Sequence, residues 1–150
     1  MYLRFSAPAR KALSAANTHA SRAGASDIQP HHILLGLLDD ASCAAAQLLL
    51  SHSLDLAHLS RQLHGRLPPG TKRWPTIGML PHAPASTLLI EQATSHARTL
   101  HHPRGGTEHL LLAMLHDPST PAGQVLSECG LTADAIREQV QAGHTAPEPR

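Results

Sequence analysis

His32-Ile33-Leu34-Leu35-Gly36-Leu37-Leu38 and, 77 positions later, His109-Leu110-Leu111-Leu112-Ala113-Met114-Leu115 are two copies of one short, nearly all-apolar segment. The same offset extends without a gap in both directions. It aligns Ala16 with Ala93, His19 with His96, Asp40 with Asp117, Gln47 with Gln124, Leu54 with Leu131 and Gln62 with Gln139. Self-similarity at a fixed period is the signature of a repeated structural unit. The sequence therefore predicts two tandem repeats.

Each repeat is expected to contain four helices. In the first repeat they cover about residues 6–23, 30–39, 44–51 and 55–67, and in the second about 84–100, 108–116, 122–129 and 133–142. Ser6 and Thr132 are predicted N-caps, Pro8 fits the first turn of the first helix, and Gly24 is a stop signal. The second helix of each repeat is short and nearly all apolar, so we expect it at the centre of the fold.

Composition supports an all-α domain with one shared core. The chain is 41% hydrophobic but only 2% aromatic, so Leu and Ala, both strong helix formers, must fill the core. We predict a pseudo-twofold bundle of eight helices over residues 1–142. Repeat one covers 5–67, a linker rich in helix breakers covers 68–81, repeat two covers 82–142, and 143–150 form a flexible tail.

Charge and apolar patterning exclude several classes of partner. The net charge is +1 and the Lys and Arg residues are scattered, so no basic stripe for nucleic acid is evident. The longest apolar runs, 33–38 and 110–115, are far shorter than the roughly 20 residues of a membrane span. With no secretion signal, and with Cys43 and Cys129 interpreted as buried thiols, we expect a cytoplasmic protein that is a monomer or weak dimer.

Motifs for catalysis or metal binding are weak. Residues 65–72 resemble a phosphate loop, but they place Thr71 before Lys72 and two prolines where a helix should begin. No Gly-x-Ser-x-Gly elbow occurs. The pairs His31-His32 and His101-His102 would point about 100° apart on a helix, which suits a shared metal poorly. We predict no catalytic residue, no cofactor and no metal, and we keep a metal-dependent or hydrolytic protein as the least favoured alternative.

Several of these segments together resemble the repeated Clp N-terminal domain of the ClpC, ClpA and ClpB unfoldases. The resemblance spans about residues 2–142 and is carried by Arg4-Phe5-Ser6, the segment 32–38, Pro84-Ala85 and Gly106-Thr107-Glu108-His109-Leu110. It implies a domain that docks adaptor proteins and substrates for an attached ATPase ring. This sequence contains no ring, so we expect a stand-alone version without unfoldase activity, although the tail also fits the start of a linker.

The resemblance also implies a site at Thr107 and Glu108. We expect Thr107 to cap the helix and Glu108 to favour its positive end. In ClpC-like domains the matching glutamate is implicated in receiving the guanidinium of phosphoarginine. The first repeat has Pro30 and His31 at these positions, and His31 cannot supply the carboxylate. If phosphoarginine binds, one site is therefore expected instead of two.

A second implied surface lies near the chain start and the start of the fifth helix, where ClpC-like domains use aromatic residues to bind cyclic-peptide antibiotics. Tyr2 keeps one aromatic, whereas His82 stands where the second is expected, and we include Phe5 and Pro84 in this surface. The leading prediction is thus a non-enzymatic accessory or decoy that binds adaptors, substrates or a cyclic-peptide-like compound. The alternative is a structural partner that docks on a Clp ATPase ring.

Overall fold

The computed structural model describes residues 4–68, 70–71 and 78–143, and these residues contain eight helices and no β-strand. The helices are α1 (Ala7–Arg22), α2 (Pro30–Leu38), α3 (Ala44–Ser51), α4 (Leu56–His64), α5 (Pro84–Thr99), α6 (Thr107–Leu115), α7 (Pro121–Glu128) and α8 (Ala133–Gln141). The predicted all-α class is confirmed.

The bounds of α5 to α8 are those of α1 to α4 shifted by 77 residues. The helix order and lengths predicted from the repeat are therefore confirmed, with differences confined to the ends. The largest is in α4, which ends at His64 with Gly65 as its C-cap instead of reaching residue 67. The boundaries of linker and tail stay predictions, because residues 69, 72–77 and 144–150 lie outside the described residues.

Helix caps explain most of these bounds. The Ser6 hydroxyl accepts the N–H of Ala9 at 3.3 Å, and Thr132 accepts the N–H of Ala135 at 3.1 Å, so both predicted N-caps are confirmed. The predicted cap at Thr107 is wrong. Gly106 is the N-cap of α6, and Thr107 is the first residue inside the helix.

The Thr107 hydroxyl instead joins the two repeats. Its oxygen accepts the N–H of Ala45, in the first turn of α3, at 3.0 Å, and the Thr107 side chain is fully buried. Amide groups in the first turn of a helix have no partner within that helix. Thr107 therefore satisfies a free amide of the other repeat.

Helices α2 and α6 form the centre of the core, as their apolar sequences predicted. Every residue of α6 is buried, and so is every residue of α2 except Leu38. Helix α1 packs on α2 and α5 on α6, while α3 crosses to α6 and α7 crosses to α2. One continuous hydrophobic cluster draws residues from both repeats, so the expected shared core is confirmed.

The segments that lead into α1 and α5, residues 4–6 and 81–83, each bond to a loop of the other repeat. We call them the exchanged segments. Gly105 donates its N–H to the carbonyl of Arg4 at 2.8 Å, and Ser6 donates to the carbonyl of Gly105 at 2.8 Å. Shifted by 77 residues, the same pair recurs, since Ile28 donates to Pro81 at 2.8 Å and Ala83 donates to Ile28 at 2.9 Å. Each of these two bridges is thus built by both repeats, and the first places the start of α1 beside the α5–α6 loop.

Candidate functional site

Phe5 and His82 occupy equivalent places in the two exchanged segments, but their surroundings differ. The Phe5 ring is only 2% exposed and lies over Gly105, where a Cβ would come within 2.8 Å of a ring carbon. His82 is half-buried, and burial lowers its pKa. Phe5 therefore packs within the fold, while His82 reaches solvent. Tyr2 lies outside the described residues.

The start of α5 presents a small apolar stripe, formed by Pro84 and Leu88. Residues four apart lie on one face of a helix, and both side chains are exposed, Leu88 by 50%. Thr87 and Glu91 flank the stripe and are also exposed. The exposed apolar stripe is thus bordered by polar side chains.

Glu108 lies in the first turn of α6 and is only 5% exposed. Its Oε1 atom is 3.4 Å from Nδ1 of His109. This is not an ion pair, because burial, reinforced by His102, lowers the pKa of His109 to about 3, and the same Nδ1 accepts the N–H of Gly106 at 2.7 Å. The Glu108 carboxylate therefore stands beside a neutral imidazole at a helix N-terminus.

His31 occupies the matching position in repeat one and is 7% exposed. Burial lowers its pKa to about 4, although the nearby Asp27 carboxylate opposes the shift. Within the described residues, Nδ1 of His31 has no hydrogen-bond partner. The first repeat thus offers a neutral imidazole where the second offers a carboxylate.

Sequence reasoning missed two features of these positions. Asp27 lines a cavity of about 170 Å³ together with His31 and Leu67, so repeat one does hold a carboxylate, supplied by the α1–α2 loop. In addition, Nδ1 of His32 accepts the N–H of Gln29 at 2.9 Å, as His109 does for Gly106. These histidines take the place of the usual Glu or Gln of a capping box. The alignment of His32 with His109 at the 77-residue offset was the signal in the sequence that could have indicated this shared role.

Comparison with known proteins assigns the family. A family model described as the Clp repeat (R) N-terminal domain matches residues 4–84 and again 84–148. The chain belongs to the Clp N-terminal domain family. It is 31% identical over 140 residues to the chaperone protein ClpB of Oceanobacillus iheyensis. It is 32% identical over 140 residues to the "negative regulator of genetic competence ClpC/MecB" of Bacillus subtilis.

Both matches cover 93% of this chain but only 17% of the relative. The chain therefore spans about a sixth of the length of these curated relatives. Among solved structures, the fold is similar to that in "Complex of ClpV N-domain with VipB peptide", with a TM-score of 0.77, 14% identity, and 96% of this chain and 90% of the other covered. At this identity the match shows the fold alone.

Two properties of the described residues bear on other functions. None of their helices is long and apolar enough to cross a membrane. No group of three or more His, Cys, Asp or Glu side chains in the described part of the chain is arranged to hold a metal ion. Of the paired histidines noted in the sequence, His32 caps the start of α2 and packs against His31 with ring centroids 4.2 Å apart, and His102 packs against His109 with centroids 4.9 Å apart.

Proposed function

We propose that this Clp N-terminal domain is a non-enzymatic docking module that binds peptide segments of adaptor or substrate proteins. The observation that carries the proposal is the match of residues 4–148 to the Clp repeat N-terminal domain, together with the likeness of the fold to that of a ClpV N-domain solved as a complex with VipB peptide. The binding surface we propose is the start of α5, where the apolar stripe of Pro84 and Leu88 adjoins the exchanged segment that contains His82.

The geometry supports this choice of surface. A docking peptide needs exposed apolar side chains held on a rigid element, and α5 supplies both. The N–H of Ala83, at its N-cap, is bonded to Ile28 of the other repeat, so the helix start is fixed in place. Leu50, which is 42% exposed on α3, lies in the other repeat and is not part of the stripe.

A pair of matched variants tests the proposal. The probe is a short neutral peptide with Leu and Phe anchors separated by Ser, Gly and Gln, titrated into the ¹⁵N-labelled chain. We expect shifts of the amide signals of α5, and Leu88→Ser should weaken binding while Leu50→Ser leaves it unchanged. Equal effects of the two variants would remove the stripe as the binding surface.

We further propose phosphoarginine as a ligand of repeat two, received by Glu108 with Thr107 beside it. A carboxylate pairs well with a guanidinium, and the first-turn amides of a helix favour the phosphate. A phosphoarginine peptide should saturate at one equivalent, and Glu108→Gln should abolish binding while His31→Ala leaves it unchanged. A stoichiometry of two equivalents in calorimetric titration, or binding that persists in Glu108→Gln, would contradict this assignment.

A cyclic-peptide antibiotic is the other ligand we propose, bound near Tyr2, Phe5 and His82, with the chain acting as a decoy for a full unfoldase. His82 lacks the larger ring expected there, so His82→Phe should tighten binding of such a compound, as measured by fluorescence anisotropy. If the chain instead co-sediments with a purified ClpC hexamer in the absence of peptide, it is a structural partner of the ring, which is the alternative function.

A further inference from the structure

A cavity of about 400 Å³ lies where the exchanged N-terminal segment meets the loop between α5 and α6. Three arginines line it, namely Arg4, Arg98 and Arg104, together with His102 and four uncharged residues. No acidic side chain is among the lining residues. We name this cavity the cationic cleft. It escapes sequence inspection because Arg4 is brought to the loop only by its backbone bond with Gly105.

The charge of the cationic cleft is accessible to a ligand. Guanidinium groups stay protonated at all physiological pH values. Arg4 and Arg98 are exposed, and in the part of the chain that the structure describes neither forms an ion pair with an acidic side chain. Like charges that share one cavity repel one another, and an anion placed between them removes that repulsion.

His102 adds a hydrogen-bond donor to the same cavity. Because Nδ1 of His109 accepts the N–H of Gly106, the proton of the neutral His109 ring resides on Nε2. Nε2 of His109 lies 2.8 Å from Nδ1 of His102 and donates to it. The remaining proton of His102 is then on Nε2, which is a donor available to a ligand in the cleft.

The pseudo-twofold relation shows that packing does not require these arginines. The 77-residue offset pairs Arg98 with Ser21 and Arg104 with Asp27. The matching place for Arg4 is taken by Pro81, whose carbonyl makes the same backbone bond. The same backbone arrangement is thus built with no cation at the three matching positions. The three arginines therefore distinguish the cationic cleft from its counterpart at the 77-residue offset.

We propose that the cationic cleft binds an acidic segment of the docked peptide, with Asp or Glu carboxylates pairing with Arg4, Arg98 and Arg104. This inference rests on the docking function proposed above. Carboxylate and guanidinium form two parallel hydrogen bonds, which gives orientation as well as attraction. The cavity is roughly tenfold larger than the ~30 Å³ that one water occupies in the liquid, so a chain segment fits it better than an isolated oxyanion.

The test compares two peptides and two charge-matched double variants. One peptide is the neutral probe used above, and the other carries an added run of Glu. Arg4→Gln with Arg98→Gln removes two exposed cations from the cleft. Arg22→Gln with Arg61→Gln removes two exposed cations elsewhere and keeps the same net charge. Anisotropy gives the affinities, and circular dichroism verifies that each variant is folded.

We expect the Glu-bearing peptide to bind at least tenfold more tightly than the neutral probe, an advantage that salt reduces. The cleft variant should lose this advantage, whereas the control variant should keep it. Equal binding of the acidic peptide to both variants would overturn the cleft assignment. So would displacement of that peptide by inorganic phosphate at equal ionic strength, which marks a small-anion site. Binding of the neutral probe reports on the docking function separately, since it does not depend on the arginines.

Discussion

Replacing Thr107 with Val tests the link between the repeats. Valine has nearly the shape of threonine, so packing around the fully buried position is kept. The change removes the oxygen that accepts the N–H of Ala45 at 3.0 Å and leaves this amide buried without that acceptor. A buried donor left unsatisfied costs about 1–3 kcal/mol. We expect a loss of about 2 kcal/mol in the free energy of unfolding, within that range.

Urea unfolding followed by circular dichroism measures this loss. Thr107→Ser is the matched control, because it keeps the hydroxyl and removes only a methyl group. Its cost should be smaller, roughly 1 kcal/mol for the lost carbon. Thr132→Val, which removes an exposed N-cap bond inside one repeat, should cost about 1 kcal/mol. A Thr107→Val protein as stable as wild type would refute the role given to this hydrogen bond.

Three further perturbations follow from the core and its histidines. Gly36→Ala should destabilise the fold by about 1–3 kcal/mol in thermal or urea unfolding, because a Cβ there would lie 2.3 Å from a backbone oxygen of α1; a stable variant would contradict the close approach of α1 and α2. Leu35→Ala and Leu112→Ala should each cost about 2–5 kcal/mol, whereas Arg98→Ala, at an exposed site, should stay within roughly 0.5 kcal/mol; indistinguishable melts would show the core to be misplaced. The unfolding free energy should also fall as pH drops from 6.5 toward 4. Buried His109 has its pKa lowered to about 3, so over this range the unfolded chain binds more protons than the folded one; a urea midpoint equal at pH 7 and pH 5 would refute this.

The repeat made most of the fold predictable. A gap-free offset constrains helix order and length, and local signals such as Ser6 and Thr132 then set the ends. Local signals failed where the tertiary structure decides. Gly24 follows α1 with a left-handed φ of 71°. The equivalent residue after α5 is His101, which adopts a φ of 60° although it is not a glycine, so the sequence carried no signal for this turn.

The candidate site was less predictable, because it depends on segments that are far apart in the sequence. The position of Glu108 in the first turn of α6 followed from its motif. The hydroxyl of Thr107 could not be assigned, since its partner Ala45 belongs to the other repeat. The grouping of Arg4 with Arg98 likewise follows only from the exchanged segments, which no helical periodicity encodes.

The most direct test of the docking function is the titration of the ¹⁵N-labelled chain with the neutral probe peptide, read residue by residue. We predict saturable shifts of amide signals centred on the start of α5, at residues 85–88, that weaken in Leu88→Ser and persist in Leu50→Ser. No shifts at millimolar peptide, or shifts spread evenly over both repeats, would contradict the docking function.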